Sequence, residues 1–158
     1  MLARNGLDDW FQHSRIQSAI TLERLSLKLK QEQVGERLGV DECSVYGWEN
    51  GCSKPSIEYM PAIIQFLGYN PLPAAKTLGE RLVRHRTSMG LSQAASAKRM
   101  GVDPATLARW ERDERKPSGT FTALVKDYLA QPPIAVLRLR SIRQEREARQ
   151  EISDPCEI

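Results

Sequence analysis

No apolar run in the chain approaches the ~20 residues that a membrane-spanning helix needs, which excludes a helical membrane protein. The opening stretch, residues 1–15, holds Asp8, Asp9 and His13 and no long apolar core. No signal peptide is therefore expected there, and a cytoplasmic location follows as the default. Cysteine is scarce: Cys43, Cys52 and Cys156 form an odd set with no close pair, which argues against a disulfide framework. Histidine is scarcer still, with only His13 and His85, so no metal site of ordinary ligand spacing is expected. The sequence also lacks a glycine-rich phosphate cradle, clustered carboxylates and a nucleophile with a nearby base. Neither an enzyme nor a bound cofactor is expected.

What the sequence does contain is a repeat. Shifting the chain by 62 residues without a gap brings Leu91 onto Leu29 and Gln93 onto Gln31. The same shift brings Arg99-Met100-Gly101-Val102-Asp103 onto Arg37-Leu38-Gly39-Val40-Asp41. Trp110-Glu111 falls on Trp48-Glu49, and Lys116-Pro117 on Lys54-Pro55. A gapless coincidence of this kind marks a duplicated unit. The expected division is a leader at 1–15, a first unit at 16–70, a second at 71–131, and an arginine-rich helix or tail at 132–158. Units of about 60 residues lie near the lower limit for folding alone.

Charge separates the two units. Residues 1–70 carry 7 Lys and Arg against 9 Asp and Glu, whereas residues 71–133 carry 11 against 6. The second unit is thus the expected seat of any polyanion contact. In the tail, Arg138, Arg140, Arg143, Arg146 and Arg149 are balanced by five acidic residues. It is expected to be a helix that dimerises or touches phosphate, or a solvated tail, the latter favoured past Gln144.

Helical spacing organises each unit. Ile16, Ile20, Arg24 and Leu27 fall on one face of a helix expected over 16–27, and Leu78, Leu82, Arg86 and Met89 repeat that face. An arginine on an apolar stripe is costly unless paired. Its expected partner lies 25 residues on in both copies: Glu49 for Arg24 and Glu111 for Arg86. Two short helices follow, Gln31–Leu38 and Glu42–Glu49 in the first unit, with Gly39 closing the former in a left-handed turn. Asp41 and Asp103 stand where an N-cap carboxylate accepts backbone N–H bonds, and Pro104 occupies the first helical position. Val45 and Trp48, like Leu107 and Trp110, share a helical phase that assigns both tryptophans to the core rather than to a base-stacking surface. A closing helix is expected over 56–67, kinked or split at Pro61, and over 118–129. The linker over 68–73 is short and stiffened by Pro71 and Pro73, so the units are expected to hold a preferred orientation.

These motifs resemble the helix-turn-helix of the phage lambda Cro/repressor class, the xenobiotic-response-element type, present twice. Leu91-Ser92-Gln93, the Gly101-Val102-Asp103 turn, Trp110-Glu111 and Lys116-Pro117 carry the resemblance, which covers about 115 of the 158 residues. It implies an all-α chain of two small bundles of about five helices each. It also implies that each unit's second motif helix enters the major groove of duplex DNA.

The resemblance further implies that Gln93 and Gln31 bond phosphate. In the second unit Pro104, Ala105 and Arg109 are expected to face bases, with Thr106 toward the backbone beside the Asp103 cap. Arg109 leads these because guanidinium bonds guanine O6 and N7 together. Arg112, Arg115 and Lys116 are expected near phosphate. The first unit departs from this pattern. It has Glu42, Cys43 and Gly47 at the base-facing positions, with Ser44 and Tyr46 beside them. Glu42 is repelled by phosphate, although it can accept from cytosine N4. Lys30 stands where the second unit has the cap Ser92. Cys43 is expected to be a small, half-buried packing residue rather than a redox switch.

Two readings follow. One is a transcriptional regulator that binds duplex DNA with both units, like a covalent dimer. The other is an antitoxin-like or scaffold module in which one unit docks a protein. Pairing of two chains is left open.

Overall fold

The computed structural model describes residues 5–132, with side chains described from Ser14 onward. The arginine-rich segment, Cys156 and the side chains of Leu7, Trp10 and Phe11 lie outside the described residues. Eight α-helices follow in order, and the described residues contain no strand. The first unit holds α1 (Asn5–Ser26), α2 (Gln31–Leu38), α3 (Glu42–Glu49) and α4 (Met60–Leu67), with a 3₁₀ turn at Ile57–Tyr59. The second holds α5 (Leu78–Ser88), α6 (Gln93–Met100), α7 (Pro104–Glu111) and α8 (Thr120–Ala130). In the 62-residue frame α6 and α7 have the bounds of α2 and α3, and α5 ends at the residue matching the end of α1.

Each unit buries its own core. Ile16, Ile20, Val34, Val45, Trp48 and Ile63 pack together in the first. Leu82, Ala97, Leu107, Trp110, Val125 and Tyr128 do so in the second. Trp48 and Trp110 are core residues, packed against the closing segment through a tilted contact with Tyr59 and an edge-on contact with Phe121, ring centroids 5.7 and 5.5 Å apart. Gly39 and Gly101 end α2 and α6 in the left-handed conformation, φ 72° and 71°, which glycine adopts without steric cost. Pro61 splits the closing segment of the first unit into the 3₁₀ turn and α4, where it sits in the first turn.

Two expectations need correction. The leader is not separate from the first helix: α1 is continuous from Asn5, because residues 7–26 contain neither proline nor a helix-ending glycine. Leu27 is also off the core stripe, at 42 % exposed. The helix ends at Ser26, Lys28 turns the chain with φ 54°, and Leu29 packs against the core instead.

The units touch through α4 and α5. Gly68 ends α4 with φ 78°, and Leu72 of the linker is buried in the first core. Asn70 accepts from the Leu72 N–H at 3.0 Å and donates from Nδ2 to Ser88 Oγ at 2.8 Å.

Candidate nucleic-acid interface

A short helix can present side chains to a partner only if the fold clamps its far end. In both units that clamp is a glutamate at the last turn of the second motif helix. Arg86 Nε donates to Glu111 Oε1 at 2.7 Å, and Gln93 Nε2 donates to Glu111 Oε2 at 2.7 Å. In the first unit Arg24 Nε donates to Glu49 Oε1 at 2.6 Å, and Gln31 Nε2 donates to Glu49 Oε2 at 2.6 Å. Both glutamate side chains are 5 % exposed and the arginines 17 % and 16 %. Each guanidinium also reaches a carbonyl in the turn before the motif, Leu29 O at 3.2 Å and Leu91 O at 3.5 Å. Each carboxylate thus ties the opening helix and both motif helices together.

This geometry changes the assignment of the glutamines. Gln31 and Gln93, expected at phosphate, each spend an amide N–H on the buried glutamate. An amide has two N–H donors and one acceptor oxygen, so the second N–H and the oxygen remain outside these bonds. The sequence frame showed the glutamine and the glutamate recurring, but not that the two side chains meet.

The front of α7 is capped and open. Asp103 Oδ1 accepts from the Ala105 N–H at 2.9 Å, and Pro104 fills the first turn without loss of a needed donor. Pro104, Ala105, Arg109 and Arg112 are exposed on one face, Thr106 is half-buried, and Leu107 and Trp110 face inward. The elements packed most closely on α7 are α5 and α6, both of the second unit. A cleft beside that face is lined by Thr106, Arg109, Arg115, Lys116, Ser118 and Phe121. Three cations and two hydroxyls therefore line one hollow. Ser118 and Phe121 are expected from the sequence only as part of the closing helix, not of the site; the closing segment brings them to the cleft. Arg112 is held by Glu114 through bonds of 2.7 and 3.1 Å, and this partner raises its already high pKa. Its charge is therefore shared with a carboxylate.

The corresponding face of α3 has a different character. Asp41 Oδ1 accepts from the Ser44 N–H at 2.6 Å, a bond that holds its carboxyl pKa below the ordinary value. Glu42, Cys43 and Tyr46 are exposed and Ser44 is half-buried. Cys43 is thus not the half-buried residue expected, because it lies on the outer face of α3 beside Glu42. Gly47 stands where α7 has Arg109. A Cβ built there would meet Ser53 Oγ at 2.5 Å, so the following loop closes over that position. Asn50 and Ser53 likewise replace Arg112 and Arg115 in the 62-residue frame. Of the three cations that line the hollow beside α7, only Lys116 has a basic counterpart here, Lys54.

The units also differ where the opening helix meets the second motif helix. Gln17 Nε2 donates to Glu49 O at 2.6 Å in the first. The matching residue in the second is Gly79, and a Cβ there would lie 2.4 Å from Glu111 O. Backbone replaces side chain at that contact. Asp113 accepts from Gly79 N–H at 3.1 Å and from Thr77 Oγ1 at 2.6 Å, which clasps the start of α5 to the end of α7.

An open, capped helix held by a buried ion pair, preceded by a second helix across a left-handed glycine turn, defines a DNA-binding helix-turn-helix. The helix-turn-helix family model matches residues 20–72 and 82–121, and the chain belongs to that family, in its lambda repressor-like form, with two tandem copies. No curated protein and no solved structure matches the chain. Among the described residues no helix is long and apolar enough to cross a membrane.

Proposed function

We propose that the chain is a transcriptional regulator that binds duplex DNA sequence-specifically, with α7 as its principal reader in the major groove. The observation that carries this reading is the open leading face of α7, with Arg109, Arg115 and Lys116 gathered beside it. A helix fits the major groove, where every base pair presents a distinct donor and acceptor pattern. Arg109 is suited to a bidentate bond with guanine, and Ala105 to a thymine methyl. Arg115 and Lys116 supply phosphate attraction, with Arg112 a weaker contributor because of Glu114. Gln93 retains one N–H for phosphate. The α3 face, with Glu42 leading and Gly47 covered, is a weaker second reader through Ser44, Tyr46 and the remaining amide donor of Gln31.

The test is a salt titration of duplex binding. Affinity is expected to fall linearly in log–log form with salt, and Lys116→Ala is expected to reduce the slope by about 1. Arg109→Ala is expected to relax the base preference at one position. An Arg109→Ala protein with native affinity and native preference would remove α7 as the reader.

A further inference from the structure

We infer that the two units are set head to tail, so that a duplex engaged by both is read in the same sense twice, as a direct repeat rather than a palindrome. This rests on the DNA-reading proposal above and adds the orientation of the two readers.

The end of α5 and the turn after it pack on the start of the first unit's closing segment. A Cβ on Gly90 would lie 3.0 Å from Pro61 Cγ and Cδ and 3.4 Å from Glu58 O. Ser88 is 3 % exposed and receives the Asn70 amide. In the repeat frame α5 corresponds to α1 and α4 to α8, so the two contacting elements are not equivalents of each other.

A two-fold axis requires every such contact to be made twice: if surface A of one unit meets surface B of the other, then B must also meet A. The reciprocal pair here is the end of α1 with the start of α8. Ser26 and Lys28, which match Ser88 and Gly90, are exposed. Thr120 and Ala123, which match Glu58 and Pro61, are exposed too. The contact is made once, in one direction, and is therefore heterologous. Palindromic operators mirror a two-fold axis between recognition helices. A one-way join lacks that axis, and the arrangement we infer in its place is a head-to-tail one, in which α3 and α7 take a common sense along the duplex.

Because α3 and α7 carry different side chains, the two half-sites differ in sequence and their orientation must be read from cleavage. A duplex is first selected from a random library with the intact chain. A DNA-cleaving chelate is then tethered at Cys43 in one protein, with the other cysteines replaced by alanine. In a second protein, lacking all native cysteines, it is tethered at the equivalent position through Ala105→Cys. The two tethers are expected to cut with the same strand bias, at sites displaced along the duplex. Cuts of opposite strand bias, related by a dyad, would overturn the head-to-tail arrangement. Cutting from position 105 alone would also overturn it, by taking α3 off the DNA while leaving α7 as a reader. Failure of the intact chain to select any duplex would instead sink the DNA-reading proposal itself.

Discussion

The two units share helix bounds at their motifs and share the buried arginine–glutamate–glutamine cluster, yet they present opposite surfaces. One motif helix leads with Pro104, Ala105 and Arg109 beside a cationic hollow. The other leads with Glu42 and Cys43 and has its central position, Gly47, closed over by Ser53. The interiors differ too. Where the first core has Val34 and Phe66, the second has Ser96 and Tyr128, whose hydroxyls bond each other. His85 packs edge-on against that ring at 4.8 Å. The comparison teaches that the frame of the motif depends on the clamp and the turn, which both copies keep, whereas the reading surface depends on a few outward positions that can change without disturbing it.

The largest expected effect tests whether the clamp is equally needed in both copies. Glu111→Ala leaves Arg86 and Gln93 without their buried acceptor, and Glu49→Ala does the same to Arg24 and Gln31. Removing one partner of a buried ion pair costs about 3–5 kcal/mol. Each variant is expected to show that loss in denaturant unfolding, localised by amide exchange to its own unit. Equal exchange protection in the variant and the native protein would mean that the cluster does not hold the motif.

A smaller effect is expected from repairing the first unit's weaker cap. Ser92 Oγ accepts from the Ala95 N–H at 3.2 Å. At the matching Lys30 only the reverse bond is made, from the Lys30 N–H to Gln33 Oε1 at 2.9 Å. Lys30→Ser is expected to stabilise the first unit by about 1 kcal/mol, seen as slower exchange in α2. No gain would indicate that the reverse bond already satisfies that helix end.

The smallest effect separates the cores by pH. Burial, with Arg99 adding a little, lowers the His85 pKa from its ordinary 6.5, so the fold favours the neutral ring. The unfolded chain then binds the proton more readily. The stabilisation is present above about pH 6.5 and is lost as the pH falls through the lower folded value. Amide protection factors in the second unit, taken relative to the intrinsic exchange rate at each pH, are expected to fall on mild acidification, and His85→Leu to flatten that response. The first unit, with Glu23 at the matching position, is expected to lack it.

Much of this was legible in the sequence because it depends on local rules. The bounds of α2, α3, α6 and α7 follow from a glycine stop and an aspartate cap, and the pairing of Arg24 with Glu49 and Arg86 with Glu111 follows from burial of a charge on an apolar stripe. What escaped was set by contacts between distant residues. The bond from Gln93 to Glu111 spans 18 positions and competes with the phosphate role that the helix start suggested. The need for Gly79 lies in the carbonyl of Glu111, which no spacing reveals. The full length of α1 escaped because the repeat frame ends at Ile16, whereas the helix continues back for as long as nothing breaks it.

The second copy is proposed as the main reader and the first as a lesser one. This ranking is tested most directly by measuring duplex affinity for Arg109→Ala and Tyr46→Ala side by side, on one selected duplex at one salt concentration. Arg109→Ala is expected to weaken binding by about tenfold or more, in line with ~1–3 kcal/mol for a bidentate base contact, and Tyr46→Ala by clearly less. Equal losses, or a larger loss from Tyr46→Ala, would contradict the account.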